Sequence, residues 1–280
     1  MSAGPYEMHS PGALAKLLAL TVHAARMRMR SALIWGIILG ALGAMYVAMY
    51  PYIADRPGME QLIQSMPQAM RDIAGFGDSI GFASVESFLA TEMLNFLAPL
   101  ALSFFPILAA SSAIAGSEED GTMDVLMGNP LARWQLVTGR FLATALLLLG
   151  IVALMGLITW LAAAIADVDL SVGAAAAGAL NLWPLCMFFG GVALLFSALV
   201  HRRFLALMVP VALLFVMYFV DALANTVEVL ESLQPLSAFY YYGSAIENGM
   251  DWANFTGLTA VTAALVIMSI LIFRRRDIYT

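Results

Sequence analysis

The sequence is short of charge, cysteine and lysine. Charged residues make up 11% of its 280 positions, where about 25% is usual for soluble domains. Hydrophobic residues make up 62%, and mean hydropathy is +0.87. A soluble fold of this length cannot hide that much apolar surface, so lipid is the solvent for much of the chain. Disorder is excluded too, since it needs low hydrophobicity and high charge. The single cysteine, Cys186, rules out an internal disulfide framework and any zinc site built from cysteine pairs. The single lysine, Lys16, sits in Gly12-Ala-Leu-Ala-Lys16-Leu, which is not the G-x-x-x-x-G-K-[ST] of a phosphate-binding loop. A net charge of -6 with 13 cations leaves no basic face for nucleic acid. His9, His23 and His201 stand isolated, with no H-E-x-x-H and no histidine inside an apolar run. No catalytic residue, metal site or resident cofactor is therefore expected in this chain.

What is present is a set of long apolar runs. A membrane-crossing helix needs roughly 20 of them in succession. Six are found, at Ser31–Tyr50, Phe88–Ala115, Phe141–Ala164, Val172–Leu199, Phe204–Leu223 and Phe255–Phe273. Alternating ten-residue strands of a membrane barrel are absent. The expected fold is an all-α membrane protein of six transmembrane helices, a single domain over 1–280. Eleven of the 13 cations fall on one side: Lys16, Arg26, Arg28, Arg30, Arg133, Arg140, Arg202, Arg203 and Arg274 to Arg276. Only Arg56 and Arg71 fall on the other. The positive-inside rule then puts both termini in the cytoplasm of a multi-pass cell (inner) membrane protein. The first apolar run is of full spanning length and starts late, so it is read as a retained anchor.

Between the spans lie four segments of interest. Residues 10–30 open with Ser10-Pro11, then place Leu14, Leu17, Leu18 and Val22 on one face and Lys16, His23, Arg26 and Arg30 on another. This predicts an amphipathic helix in the membrane interface, its arginines toward anionic lipids. The outer loop 51–87 carries an apolar stripe of Leu62, Ile63, Met66, Met70 and Ile73, suited to an outer-leaflet helix or a packed cap. The outer loop 224–254 is acidic and aromatic. Its run Phe239, Tyr240, Tyr241 and Tyr242 suits short re-entrant helices, either as a possible exit for cargo or as a surface aromatic belt. Intramembrane polar groups are few. Glu92, Asn95, Pro99 and Ser103 of the second span are the candidate pathway residues, and Pro99 and Pro106 predict a kink or break there.

The fourth segment, the cytoplasmic loop 116–140, is the most informative. Glu118, Glu119, Asp120 and Asp124 place negative charge near a helix N-terminus. Met123, Leu126 and Met127 share one helical face, Gly128 breaks the helix, and Asn129-Pro130 starts another. The product is a short helix offering an apolar knob with an acidic rim, which a partner groove would accept. The run Glu118-Glu119-x-Gly121-Thr122-x-x-x-Leu126-x-x-x-Pro130-x-x-Arg133, closed by Gly139-Arg140, resembles the inner-loop signature of type-2 ABC transporter permeases. Met127, Ala132 and Arg140 stand where that family more often has leucine, serine and lysine. The ending Phe273-Arg-Arg-Arg-Asp-Ile278 is also similar.

That resemblance implies a permease that pairs with a second copy or a related subunit. It implies docking on two cytosolic P-loop ATPase subunits, which carry the ATP and magnesium. Glu118, Glu119, Gly121, Thr122, Met123, Leu126, Met127, Pro130 and Arg133 would form the ATPase-coupling element. The cargo it implies is hydrophobic or amphipathic and exported by alternating access, with the long second span as the moving part. Two other readings stay open at this point. One is a membrane anchor, sensor or lipoprotein-handling subunit of an ABC complex, through which nothing crosses. The other is an ion-coupled carrier, which the near absence of mid-membrane charge disfavours.

Overall fold

The computed structural model describes residues 12–54, 65, 67, 70, 84–121, 132–224 and 227–275, and no strand occurs among them. Among these residues six helices are long and apolar enough to cross a membrane. They are α1 (Ala13–Ala54), α2 (Val85–Glu119), α3 (Arg133–Ile165), α4 (Val172–Leu199), α5 (Arg203–Leu223) and α9 (Trp252–Arg275). Between α5 and α9, among the described residues, lie three short α-helices, α6 (Glu228–Glu231), α7 (Ala238–Tyr242) and α8 (Ala245–Asn248), and a 3-10 turn at Gln234–Leu236. Most of the loop 51–87 lies outside the described residues, with all of the stripe expected there except Met70, which is exposed.

Helix α1 takes in both the expected interfacial stretch and the first span without a break. Its 42 residues reach about 63 Å, twice the roughly 30 Å of a hydrocarbon core. Arginines at 26, 28 and 30 mark the water boundary but do not end a helix, because arginine is a good helix former. Leu14 and Leu18 are exposed, while the opposite face docks on α3: Thr21 is buried, and Leu20 and Thr21 lie over Gly139. Higher up, Gly36 meets Leu154, Gly40 meets Ile158 and Gly43 meets Thr159. Both series rise together, so α1 and α3 run parallel. A Cβ on Gly40 would come within 2.7 Å of Ile158 Cδ1, so this small-residue face is what lets the backbones close up.

Helix α4 is the most deeply buried of the six. Its small residues admit neighbours on every side: Gly178 faces Leu94 and Ile246, Gly190 faces Pro106, and Gly191 faces Thr262 and Leu265. In α2 the expected disturbance takes the form of two π-helical stretches, Ala90–Leu97 and Ser112–Gly116, on either side of an α-helical middle, Ala98–Ser111. The first ends at Leu97, two residues before Pro99. In π register the Ala98 N–H bonds Met93 O, so the next amide would serve Leu94 O. Pro99 has no N–H to give. The Tyr242 hydroxyl takes that free carbonyl instead, at 3.0 Å.

Candidate functional site

Arg28, Arg140, Arg203 and Arg274 gather at one end of the bundle, hereafter the arginine end. There α2 runs out into the loop 116–140, and α3 begins on the return. Gly121 ends α2 with φ of 66° and donates its N–H to Glu118 O at 3.1 Å. A side chain would be strained there, which gives the glycine of the acidic-Gly-Thr run a conformational reason. Thr122, Met123, Leu126, Met127 and Pro130 lie outside the described residues. What the structure shows is the base on which that loop stands.

The base is bonded into its neighbours from every direction. Ser197 of α4, fully buried, accepts from Ile114 N at 3.2 Å and Ala115 N at 2.9 Å, and donates to Ser111 O at 3.0 Å. One hydroxyl thus spends its donor and both acceptor sites on the second π-helical stretch. These are amides that the wider π turn leaves without an α-helical partner. Arg140 of α3 donates to Ala113 O and, at 2.8 Å, to Ser117 Oγ. Arg28 of α1 donates to Ser112 Oγ at 2.7 Å. Glu118 meets His201 Nδ1 at 3.3 Å, and Glu119 accepts the backbone N–H of Arg203 at 3.0 Å. Both carboxylates are thereby turned to the short link between α4 and α5.

The return strand of the loop is tied as firmly. Gln135 accepts the N–H of Ala132 at 3.0 Å and donates to Ala13 O at 3.2 Å. Arg133 donates to Phe273 O at 3.1 Å, and its guanidinium lies 5.5 Å from the centre of the Phe273 ring. So α3 is fastened to α1 and α9 in its first turn. All six spans are thus linked, directly or through one partner, to the base of a single loop. Sequence reasoning singled out Glu118, Glu119, Gly121 and Arg133 here and passed over Ser197. A lone serine in an alanine- and leucine-rich helix carries no pattern that marks it.

The candidate pathway residues separate into two groups. Glu92 and Asn95 are half-buried in the first π-helical stretch, with Glu92 within electrostatic reach of Tyr46 on α1. Pro99 and Ser103 are buried, and Ser103 Oγ lies 3.5 Å from Cys186 Sγ on α4. The aromatic run divides in the same way. Phe239 packs edge-on against Tyr218, with ring centres 5.5 Å apart. Tyr242 is buried, and its carbonyl accepts from Asn181 Nδ2 at 2.6 Å. Burial pushes the Tyr242 phenol pKa up, so it remains a donor to α2. Tyr240 and Tyr241 are exposed. Among the described residues no group of three His, Cys, Asp or Glu is placed to hold a metal ion.

The family model described as "ABC-2 family transporter protein" matches residues 18–278. A protein of Pseudomonas aeruginosa named probable ABC transporter permease protein NosY is 42% identical over 82 residues. That match covers 27% of this chain and 28% of the relative.

Proposed function

The chain belongs to the ABC-2 transporter family, and we propose that it is the permease subunit of an ATP-driven exporter. It is a multi-pass integral protein of the cell (inner) membrane. In the proposed arrangement the arginine end faces the cytosol, as the positive-inside rule requires. The chain brings no phosphate-binding loop, so ATP and magnesium sit on separate P-loop subunits, two per assembly. A second copy of this chain, or a related permease, completes the pathway for hydrophobic or amphipathic cargo.

One observation carries this reading. The base of the loop 116–140 is hydrogen-bonded to α1, α3, α4 and the α4–α5 link at once. A push on Met123, Leu126 and Met127 by a closing ATPase dimer is therefore delivered to several spans together. Alternating access needs such a joint between a driven surface and a two-state bundle. Glu92 and Asn95, half-open in a π-helical stretch, are the pathway groups in this scheme, and Tyr240 and Tyr241 flank the exit.

The test is purification in mild detergent from the native host, beside a Leu126→Arg variant that puts charge on the docking face. The expected result is near-stoichiometric recovery of a P-loop ATPase with the wild type and its loss with the variant. Recovery of the chain alone, or of the ATPase regardless of Leu126, overturns the assignment and returns the ion-coupled carrier. ATP-dependent cargo movement in vesicles holding both subunits separates an exporter from an anchor or lipoprotein-handling subunit.

A further inference from the structure

We propose that Arg28 of α1 and Arg203 of α5 form a binding site for the phosphate of an anionic membrane lipid, over the α2 floor at Ser112–Gly116. The two helices share no extended contact, yet these side chains converge on the same turn of α2. Arg28 reaches Ser112 Oγ at 2.7 Å. The Arg203 side chain runs beside Gly116, its Cδ 3.3 Å from where a Cβ on that residue would stand. The two charges lie within electrostatic reach of each other, and Arg140 lies within reach of Arg28. Three like charges drawn together near a membrane boundary repel, and an anion between them removes that cost.

The protein does not supply the anion among its described residues. Neither Arg28 nor Arg203 forms an ion pair there; of the three carboxylates that follow Gly116, Glu118 and Glu119 are directed to His201 and to the Arg203 backbone, and Asp120 is exposed. A guanidinium has five donors in a fork that matches phosphate oxygens. Arg28 spends one of its donors, on Ser112, and the Arg203 guanidinium spends none within the described structure. Arg140 differs: its bonds to Ala113 O and Ser117 Oγ commit it to holding α2.

A lipid headgroup, rather than a free ion, is indicated by what surrounds the two arginines. One turn into the bilayer from Ser112, α2 exposes Leu108, and α5 exposes Phe204 and Met208 just beyond Arg203. A phosphate held by the arginines would leave its acyl chains against these side chains. Basic pockets between membrane helices on the cytoplasmic side take such headgroups.

The experiment uses the purified full-length chain in detergent, loaded with equal phosphatidylglycerol and phosphatidylcholine, with retained lipid read by native mass spectrometry. The wild type is expected to keep phosphatidylglycerol in preference. Arg28→Gln and Arg203→Gln should each cut that retention about fivefold, the effect of one cation at an anionic surface. Arg274→Gln, an exposed arginine at the same end, should leave it unchanged. Inorganic phosphate at millimolar concentration should not displace the lipid. Equal retention of the two lipids, or an equal loss with Arg274→Gln, overturns the site. Displacement by inorganic phosphate overturns the lipid assignment in favour of a free anion. If Arg28→Gln fails to fold, the exposed Arg203 decides the matter. No ATPase is present in this measurement, so its outcome is independent of the coupling test.

Discussion

Removing the Ser197 hydroxyl should destabilise the bundle more than any other serine-to-alanine change in it. The side chain is fully buried and makes three hydrogen bonds to α2, two accepted from Ile114 and Ala115 and one donated to Ser111 O. In Ser197→Ala two buried amides and one carbonyl lose that partner. A buried donor left unsatisfied costs about 1–3 kcal/mol. The two amides share one acceptor, so the losses do not simply add, and the total comes to about 2–4 kcal/mol. For a chain of this size that is a fall of roughly 3–7 °C in the midpoint of thermal unfolding. The assay is loss of monodisperse protein on heating in detergent, followed by size-exclusion. Ser103→Ala is the control. Ser103 is equally buried against the same helix pair, but its side-chain bond among the described residues is a 3.5 Å contact to the Cys186 thiol, so about 1 kcal/mol or less is expected. If the two variants melt together, the Ser197 bonds do not hold α2, and the account of the loop base fails with them.

Gly40→Val should cost about 1–3 kcal/mol by overpacking, since its side chain meets Ile158 at once, whereas Gly150→Val on α3, with nothing within 4 Å, should melt like the wild type. The same heating assay checks both, and equal melting would show that α1 and α3 do not pack through Gly40. Tyr242→Phe should cost about 1 kcal/mol by leaving Leu94 O without its hydroxyl donor. Hydrogen exchange at Ala90–Leu97 should rise in that variant, and unchanged protection there would remove Tyr242 as the clasp on the first π-helical stretch.

The spans were the most legible feature because apolar length is a one-dimensional property. The fourth, Val172–Leu199, matches its helix end to end. The first was less legible for a physical reason. Hydropathy reports where water begins, and the arginines from 26 to 30 mark that boundary, but a helix continues past it, so Ala13–Ala54 is one rod. Pro99 was visible as a disturbance, but its form was not. Whether a lost N–H produces a kink or a π turn depends on what waits to take the freed carbonyl, here Tyr242, 148 residues away. Gly121 was legible through its motif, and its positive φ supplies the cause. Arg140 stands out in the sequence as a topology-marking cation and as the close of the inner-loop run, but neither pattern shows that it holds the end of α2. Ser197 and Arg28 matter through partners on other helices, and contacts of that kind have no local pattern.

The second π-helical stretch also decides how the end of α2 is able to turn. A π turn holds one residue more than an α turn, which amounts to a single residue of slack wound into the helix. Tightening Ser112–Gly116 to α-helix would swing everything beyond it by about 100° around the helix axis. The middle, Ala98–Ser111, need not move at all. Glu118 and Glu119 would then swivel with the end of α2. The rotation would exchange the Ser197 bonds for helical ones, and it would also break the contacts of Ser117 with Arg140, Glu118 with His201 and Glu119 with the Arg203 amide. Deleting one residue within Ser112–Gly116 would fix the swivelled azimuth permanently, while hydrophobic length would change by only about 1.5 Å.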